Sequence, residues 1–221
     1  MKKQGPGTAP PEARPCERCG RPVAICVCDR VTPVATRHRV LILQHPQEQD
    51  VALGTAGLVT ATMPKAVLRV GLSWGSLAHA LGEREANPGR WAVVFPQAKK
   101  VDLEPAPDAQ HLLVDPRGHL ASPRRISGIV VLDGTWSQAK ALWWRNAWLL
   151  KLGRMSLYPR EASIYGSLRK EPRKQFISTL ESVALALSAL GEEPEVEASL
   201  LRLFRTLAQR ARDARKQGLR L

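Results

Sequence analysis

Four short apolar runs constrain this chain more than any other feature: RVLILQ (39–44), WAVVF (91–95), HLLV (111–114) and GIVVLD (128–133). Each suits a buried strand, and helical stretches lie between or after them. That alternation predicts an α/β fold, a mostly parallel sheet flanked by helices. With 221 residues the chain is long enough for one full-sized core and a small appendage. No GxGxxG or Walker-type sequence follows any of the runs, which disfavours a standard dinucleotide fold or a P-loop enzyme.

Helix signals are local. Thr135-x-x-Gln138 has capping-box form and predicts a helix through about Leu150. Ser178-x-x-Glu181 predicts a second, ended by Gly191. A last helix, roughly 196–216, sets Leu200, Leu203, Leu207 and Ala211 on one stripe, with Arg205, Arg212 and Lys216 on a basic face expected to stay free. In the helix after Asp133, Trp136, Trp143 and Trp144 fall on nearly one face and pack by default, while Trp136, in the first turn, is placed to line a crevice.

In open α/β sheets, ligands settle beyond the carboxyl ends of the strands. Asp133 would sit there. So would His45 and Glu48 after the first run, Pro96 and Gln97 after the second, and Asp115 and Arg117 after the third. Taken alone, Asp133 reads equally well as a turn residue accepting backbone N–H bonds, and His45 as a turn or core histidine. Convergence of several such segments on one edge is what makes them a candidate site.

All four cysteines lie within residues 16–28, as Cys16-x-x-Cys19 and Cys26-x-Cys28, with Gly20 after the first pair. This spacing predicts a closed four-thiolate zinc knuckle over 14–30, with Arg14, Arg18, Arg21 and Arg30 beside it to meet phosphates. Two disulfides, or unrelated thiols, are the alternative. The opening MKKQGPGTAPPEARP has no apolar stretch of signal-peptide type and reads as a disordered lead-in, which speaks for a cytoplasmic chain without disulfides.

Net charge is +13. A polyanionic partner is the first suspicion. Residues 140–175 carry nine Lys/Arg against Glu161 and Glu171, and the last twenty residues carry seven more against Asp213. Apolar runs all fall short of the ~18 residues of a membrane span, so no membrane partner is expected.

Asp133-Gly134-Thr135-Trp136 matches the D-x-T-W signature of the DTW domain family. The cysteine cluster, His45-Pro46-x-Glu48, YGSLRK (165–170) and STLE (178–181) follow that family's order, so the chain resembles it over about residues 14–190. The resemblance implies a SPOUT-like core, of a kind whose backbone can be knotted, and tRNA-uridine aminocarboxypropyltransferase activity. In that reaction S-adenosylmethionine gives its 3-amino-3-carboxypropyl group to N3 of a tRNA uridine, at a variable-loop or D-loop position, and 5'-methylthioadenosine leaves. It further implies catalytic roles for Asp133, Thr135 and Trp136; contacts to S-adenosylmethionine from His45, Glu48, Thr55, Phe95, Pro96, Gln97, Leu132, Asp133 and Gly134; tRNA contacts from Arg145, Arg169, Lys170, Arg173 and Lys174; and a structural zinc on Cys16, Cys19, Cys26 and Cys28. One departure is Gly54-Thr55-Ala56-Gly57, where the family pattern leads one to expect an amide and a cation.

The implied reaction needs an acceptor for the N3 proton or a ligand for the methionyl ammonium, and Asp133 fits either role. An RNA methyltransferase and a non-catalytic zinc-dependent RNA-binding protein are the competing readings. The expected organisation is a lead-in (1–13), the knuckle (14–30), a catalytic domain (31–194) and a basic helix packed on it (195–221). Monomer and homodimer both stay open.

Overall fold

The computed structural model describes residues 13–96, 108–168 and 177–219. The expected disordered lead-in lies almost wholly outside this range, as do Gln97, Arg169, Lys170, Arg173 and Lys174. Six strands form one sheet: β1 (Arg39–Gln44), β2 (Ala66–Val70), β3 (Trp91–Val94), β4 (His111–Val114), β5 (Gly128–Asp133) and β6 (Gly153–Leu157), in the order β2-β1-β5-β3-β6-β4. All neighbours are parallel except β4, which runs antiparallel to β6 at the edge.

Both faces of the sheet are covered, which is why the central strands are apolar at nearly every residue. Val40, Ile42, Ile129 and Val131 point to one face, against α1 (Ala56–Thr62), α4 (Thr179–Ala189) and α5 (Pro194–Lys216). Leu41, Leu43, Val93 and Val130 point to the other, against α2 (Leu77–Leu81) and the 3₁₀ turn Ala147–Lys151. On α5 the stripe Leu200, Leu203, Leu207 and Ala211 is buried as expected. Both capping boxes form, Thr135 with Gln138 and Ser178 with Glu181.

Several expectations need correction. The helix after Asp133, α3 (Trp136–Arg145), stops five residues early because the side chain of buried Asn146 takes over the bonding. Its Nδ2 donates to the carbonyls of Leu142 and Leu72, and its Oδ1 accepts from Trp74 N–H and Trp148 Nε1. Trp148 therefore drops into the second core cluster while Trp144, ~100° around the helix from half-buried Trp143, is 79% exposed. Because β4 is antiparallel, Asp115 and Arg117 lie at the edge opposite Asp133, where Asp115 Oδ1 merely closes a turn on the N–H groups of Arg117 and His119. The basic side of α5 is free only in part: Arg205 and Lys216 are exposed, but Arg212 donates to the carbonyl of Ile164, as its neighbours Arg215 and Arg210 do to Leu168 O and the Asp29 carboxylate.

Phe204, fully buried on α5, meets Tyr165 edge-on at 4.8 Å. Phe204→Ala is expected to lower the unfolding free energy by ~3–5 kcal/mol, read as a drop in urea midpoint at unchanged slope.

Candidate functional site

The site begins with register. Gln44 and Asp133, the last residues of β1 and β5, are directly paired. Both side chains are buried, Asp133 at 7% exposure. Gln44 Nε2 donates to Asp133 Oδ2 at 2.7 Å, and the hydroxyl of Thr179 donates to Oδ1. Thr179 is the first residue of α4, placed there by the Ser178–Glu181 capping box. Among the described residues no cation pairs with this buried carboxylate, and each oxygen keeps a second lone pair.

The rest of the edge is assembled by backbone and caps. His45 N–H donates to Asp133 O at 2.9 Å, and the imidazole Nδ1 accepts from Gln47 N–H, so His45 caps the turn Pro46–Glu48, in which Glu48 is buried. Gly134 is required by close approach: a Cβ there would lie 2.8 Å from Gln138 Cβ. Thr135 Oγ1 accepts from Gln138 N–H and so serves as the N-cap of α3, while Gln138 Nε2 donates to Gln47 Oε1 across the cleft edge. Thr55, in the stretch that departs from the family pattern, is buried and accepts from Leu180 N–H at 3.2 Å, one residue past Thr179.

The implied ligand set is divided by the sheet. Asp133 and Thr55 meet α4 on one side. Leu132 and Phe95 pack with the second core cluster on the other. There Phe95 stacks on Trp143 at 4.6 Å and on Trp136 at 5.6 Å, with Arg154 over the Trp143 ring and Lys140 over Trp136. Burial lowers the pKa of Arg154 from its ordinary value. Pro96 follows Phe95 at the same edge, and Arg145 is exposed at the far end of α3. Gln44 and Thr179, which hold the carboxylate, stand in the segments RVLILQ and STLE but were not among the expected site residues. Their signal was the polar residue closing an apolar strand and the one sitting at a helix N-terminus.

At the N-terminus, the four sulfurs lie within 4.8 Å of one another. Cys16 and Cys26 sulfurs are 3.3 Å apart, and Cys19 and Cys26 3.7 Å. These separations exclude disulfides, whose sulfurs sit ~2.05 Å apart, and suit tetrahedral zinc, whose ~2.3 Å bonds place thiolates about 3.8 Å apart. Gly20, at φ +70°, makes the turn that returns the chain after the first pair. Backbone amides of Arg18 and Cys19 hold the Cys16 thiol down at about 6, whereas burial and the neighbouring sulfurs push Cys28 up to about 12. A dication would stabilise all four as thiolates.

The knuckle is fastened to the domain by arginines. Arg210 of α5 forms two 2.8 Å bonds to the Asp29 carboxylate, holding its pKa down at about 2, and also donates to Cys26 O. Arg21, expected to meet phosphate, instead donates to the carbonyls of Ala52 and Gly54.

Fold and site together define an α/β protein with a buried, oriented carboxylate at the carboxyl edge of its sheet and a four-cysteine metal knuckle. The chain belongs to the DTW domain family, whose domain matches residues 13–212. It is 32% identical over 206 residues to tRNA-uridine aminocarboxypropyltransferase 2 of Drosophila melanogaster, covering 90% of this chain and 76% of that protein. Against tRNA-uridine aminocarboxypropyltransferase 2 of Macaca fascicularis it is 29% identical over 203 residues, covering 90% of this chain and 64% of the relative's length. Against tRNA-uridine aminocarboxypropyltransferase A of Arabidopsis thaliana it is 27% identical, covering 88% and 79%. No solved structure matches the chain.

The knuckle should carry about one zinc per chain when purified, measured by elemental analysis, and Cys19→Ser should lose it.

Proposed function

We propose that this chain is a tRNA-uridine aminocarboxypropyltransferase, transferring the 3-amino-3-carboxypropyl group of S-adenosylmethionine to N3 of a tRNA uridine. The observation that carries the reading is the signature carboxylate itself. Asp133 is buried, fixed by Gln44 and Thr179, and faces no cation among the described residues. A buried anion without a partner is costly, and this substrate supplies the missing positive charge as ammonium and sulfonium.

S-adenosylmethionine brings an electrophilic γ-carbon: the N3–C bond forms as the C–S bond breaks, the electron pair goes to sulfur, neutral 5'-methylthioadenosine leaves, and the N3 proton passes to Asp133 or to water. The chain has two tasks in this. It must place that carbon, and not the methyl, in line with N3, and it must receive positive charge: the methionyl ammonium or the N3 proton. A carboxylate held on both oxygens by fixed donors is preorganised for such a task. The zinc knuckle, closed by four thiolates, belongs to structure and docking.

N3 lies on the Watson–Crick edge, so the uridine has to be unpaired when it reaches Asp133. Trp136, stacked on Phe95 and 38% exposed, opens the helix that follows Asp133 and offers a ring edge at the same end of the sheet to hold it. Around it, residues 136–160 contain Lys140, Arg145, Lys151, Arg154 and Arg160 and no acidic residue, a composition suited to phosphate. Among the described residues no helix is long and apolar enough to cross a membrane.

Incubation with S-adenosylmethionine and unmodified tRNA should yield 5'-methylthioadenosine and an aminocarboxypropyl mass gain on uridine. S-adenosylhomocysteine with a methyl gain would instead make the chain an RNA methyltransferase. Asp133→Asn is expected to cut kcat/KM at least ~100-fold. A loss confined to kcat assigns the N3 proton to Asp133, and a rise in the KM for S-adenosylmethionine assigns the ammonium.

A further inference from the structure

Helix α3 carries more exposed aromatic surface than its packing requires. Its inner side is complete: Ala139 and Leu142 are buried, and Trp143 lies between Phe95 and Arg154. Trp136, Lys140 and Trp144 follow at i, i+4 and i+8, a row that starts at the border of the inner side, where the Trp136 ring lies against Phe95, and turns to the outer side at Trp144. Trp136 is 38% exposed and Trp144 79%. Lys140 stands between them, its ammonium 5.8 Å from the Trp136 ring centre. From Trp136 to Trp144 the helix rises ~12 Å, away from Asp133.

We propose that this stripe is a track for unpaired RNA leading out of the Asp133 site, in which Trp144 stacks a base flanking the target and Lys140 meets the phosphate between the two nucleotides. The proposal rests on the tRNA-uridine reading and adds to it a second, stacked nucleotide outside the reacting one. Charge selects the occupant. Between Asp133 and Arg160 the sequence has no acidic residue, while Lys140, Arg145 and Lys151 are all exposed on this part of the chain. Along this stretch of chain a protein partner of ordinary composition would meet only one sign of charge. Single-stranded RNA offers the two complementary features at the right alternation, flat apolar bases and phosphates.

The test is equilibrium binding of two fluorescein-labelled probes, a single-stranded oligouridylate and a fully paired RNA duplex, across a salt series. Zinc content and circular dichroism check that each variant is folded. Trp144→Ala should weaken oligouridylate binding roughly 5- to 150-fold, the range for losing one base stack, with little effect on the duplex and no change in salt slope. Trp144→Phe should keep most of the affinity. Lys140→Gln should reduce the slope of log K against log salt by about 0.7, one phosphate contact on a single strand. Equal oligouridylate affinity for Trp144→Ala and the unaltered chain would overturn this inference while leaving the transferase reading to its own product assay. A loss equal on single strand and duplex would overturn it as well, since stacking needs an unpaired base. Failure of the unaltered chain to bind oligouridylate would also overturn it. So would a concentration-dependent dimer abolished by Trp144→Ala at unchanged RNA affinity, which would make the stripe a contact between two copies of the chain.

Discussion

The carboxylate of Asp133, held between the Gln44 amide and the Thr179 hydroxyl, is the constraint on which the rest of the edge depends. It ties together three elements that are remote in sequence: β1, β5 and the first turn of α4. The parallel register that sets Gln44 opposite Asp133 also brings His45 N–H onto the Asp133 carbonyl. A one-residue slip in that register would turn Asp133 toward the opposite face and away from α4. Burial of both central strands on two faces forbids the slip, because every apolar side chain would change sides with it. The hydrophobic core thus fixes the polar geometry at its rim.

The same logic links the metal knuckle to the site. Arg21 holds the Ala52 and Gly54 carbonyls, the next residue Thr55 accepts from Leu180 N–H, and the residue before Leu180 is the one that bonds Asp133. Glu181 adds a cross-brace, accepting from Ser178 N–H at 2.7 Å, from Ser163 Oγ at 2.8 Å and from Ile164 N–H at 2.7 Å. Tyr165 then reaches back to the Leu53 carbonyl. Every one of these joints has a fixed donor and acceptor with little room for adjustment, so displacing the knuckle would be felt at the start of α4. A closed zinc site can influence a reaction in which it takes no chemical part.

How much of this could be read beforehand depended on the range of the interaction. Runs 39–44, 111–114 and 128–133 became strands with those bounds, and both capping boxes formed, because burial on two faces and cap chemistry are written in adjacent residues. β2 escaped notice because it is a half-exposed edge strand interrupted by Arg69, whose guanidinium serves the carbonyls at the end of α2. β6 escaped because Arg154 and Ser156 break its apolar pattern, one to lie over Trp143 and the other to bond Phe95 O. Gln44 and Thr179 stood out only as a polar strand end and a helix start; their pairing with Asp133, across 89 and 46 residues, is carried by no local pattern. The direction of β4 was equally invisible, and with it the true position of Asp115.

The basic excess shows why net charge predicts a partner better than it predicts the contact surface. Arg21, Arg69, Arg212 and Arg215 each donate to backbone carbonyls, a use for which the rigid guanidinium fork is suited. Carbonyls are dipoles without net charge, so these arginines remain cations and still contribute to the field within a Debye length of ~8–10 Å. Arg210 differs, since the Asp29 carboxylate cancels its charge. The attracting field is therefore spread over the knuckle side, α5 and α3 together, and exposed cations such as Arg18, Arg124, Lys140, Arg145, Arg205 and Lys216 are spread with it. Hence neutralising a carbonyl-bound arginine acts on fold and field at once, whereas removing a cation such as Lys140 leaves no carbonyl unpaired and spares the fold.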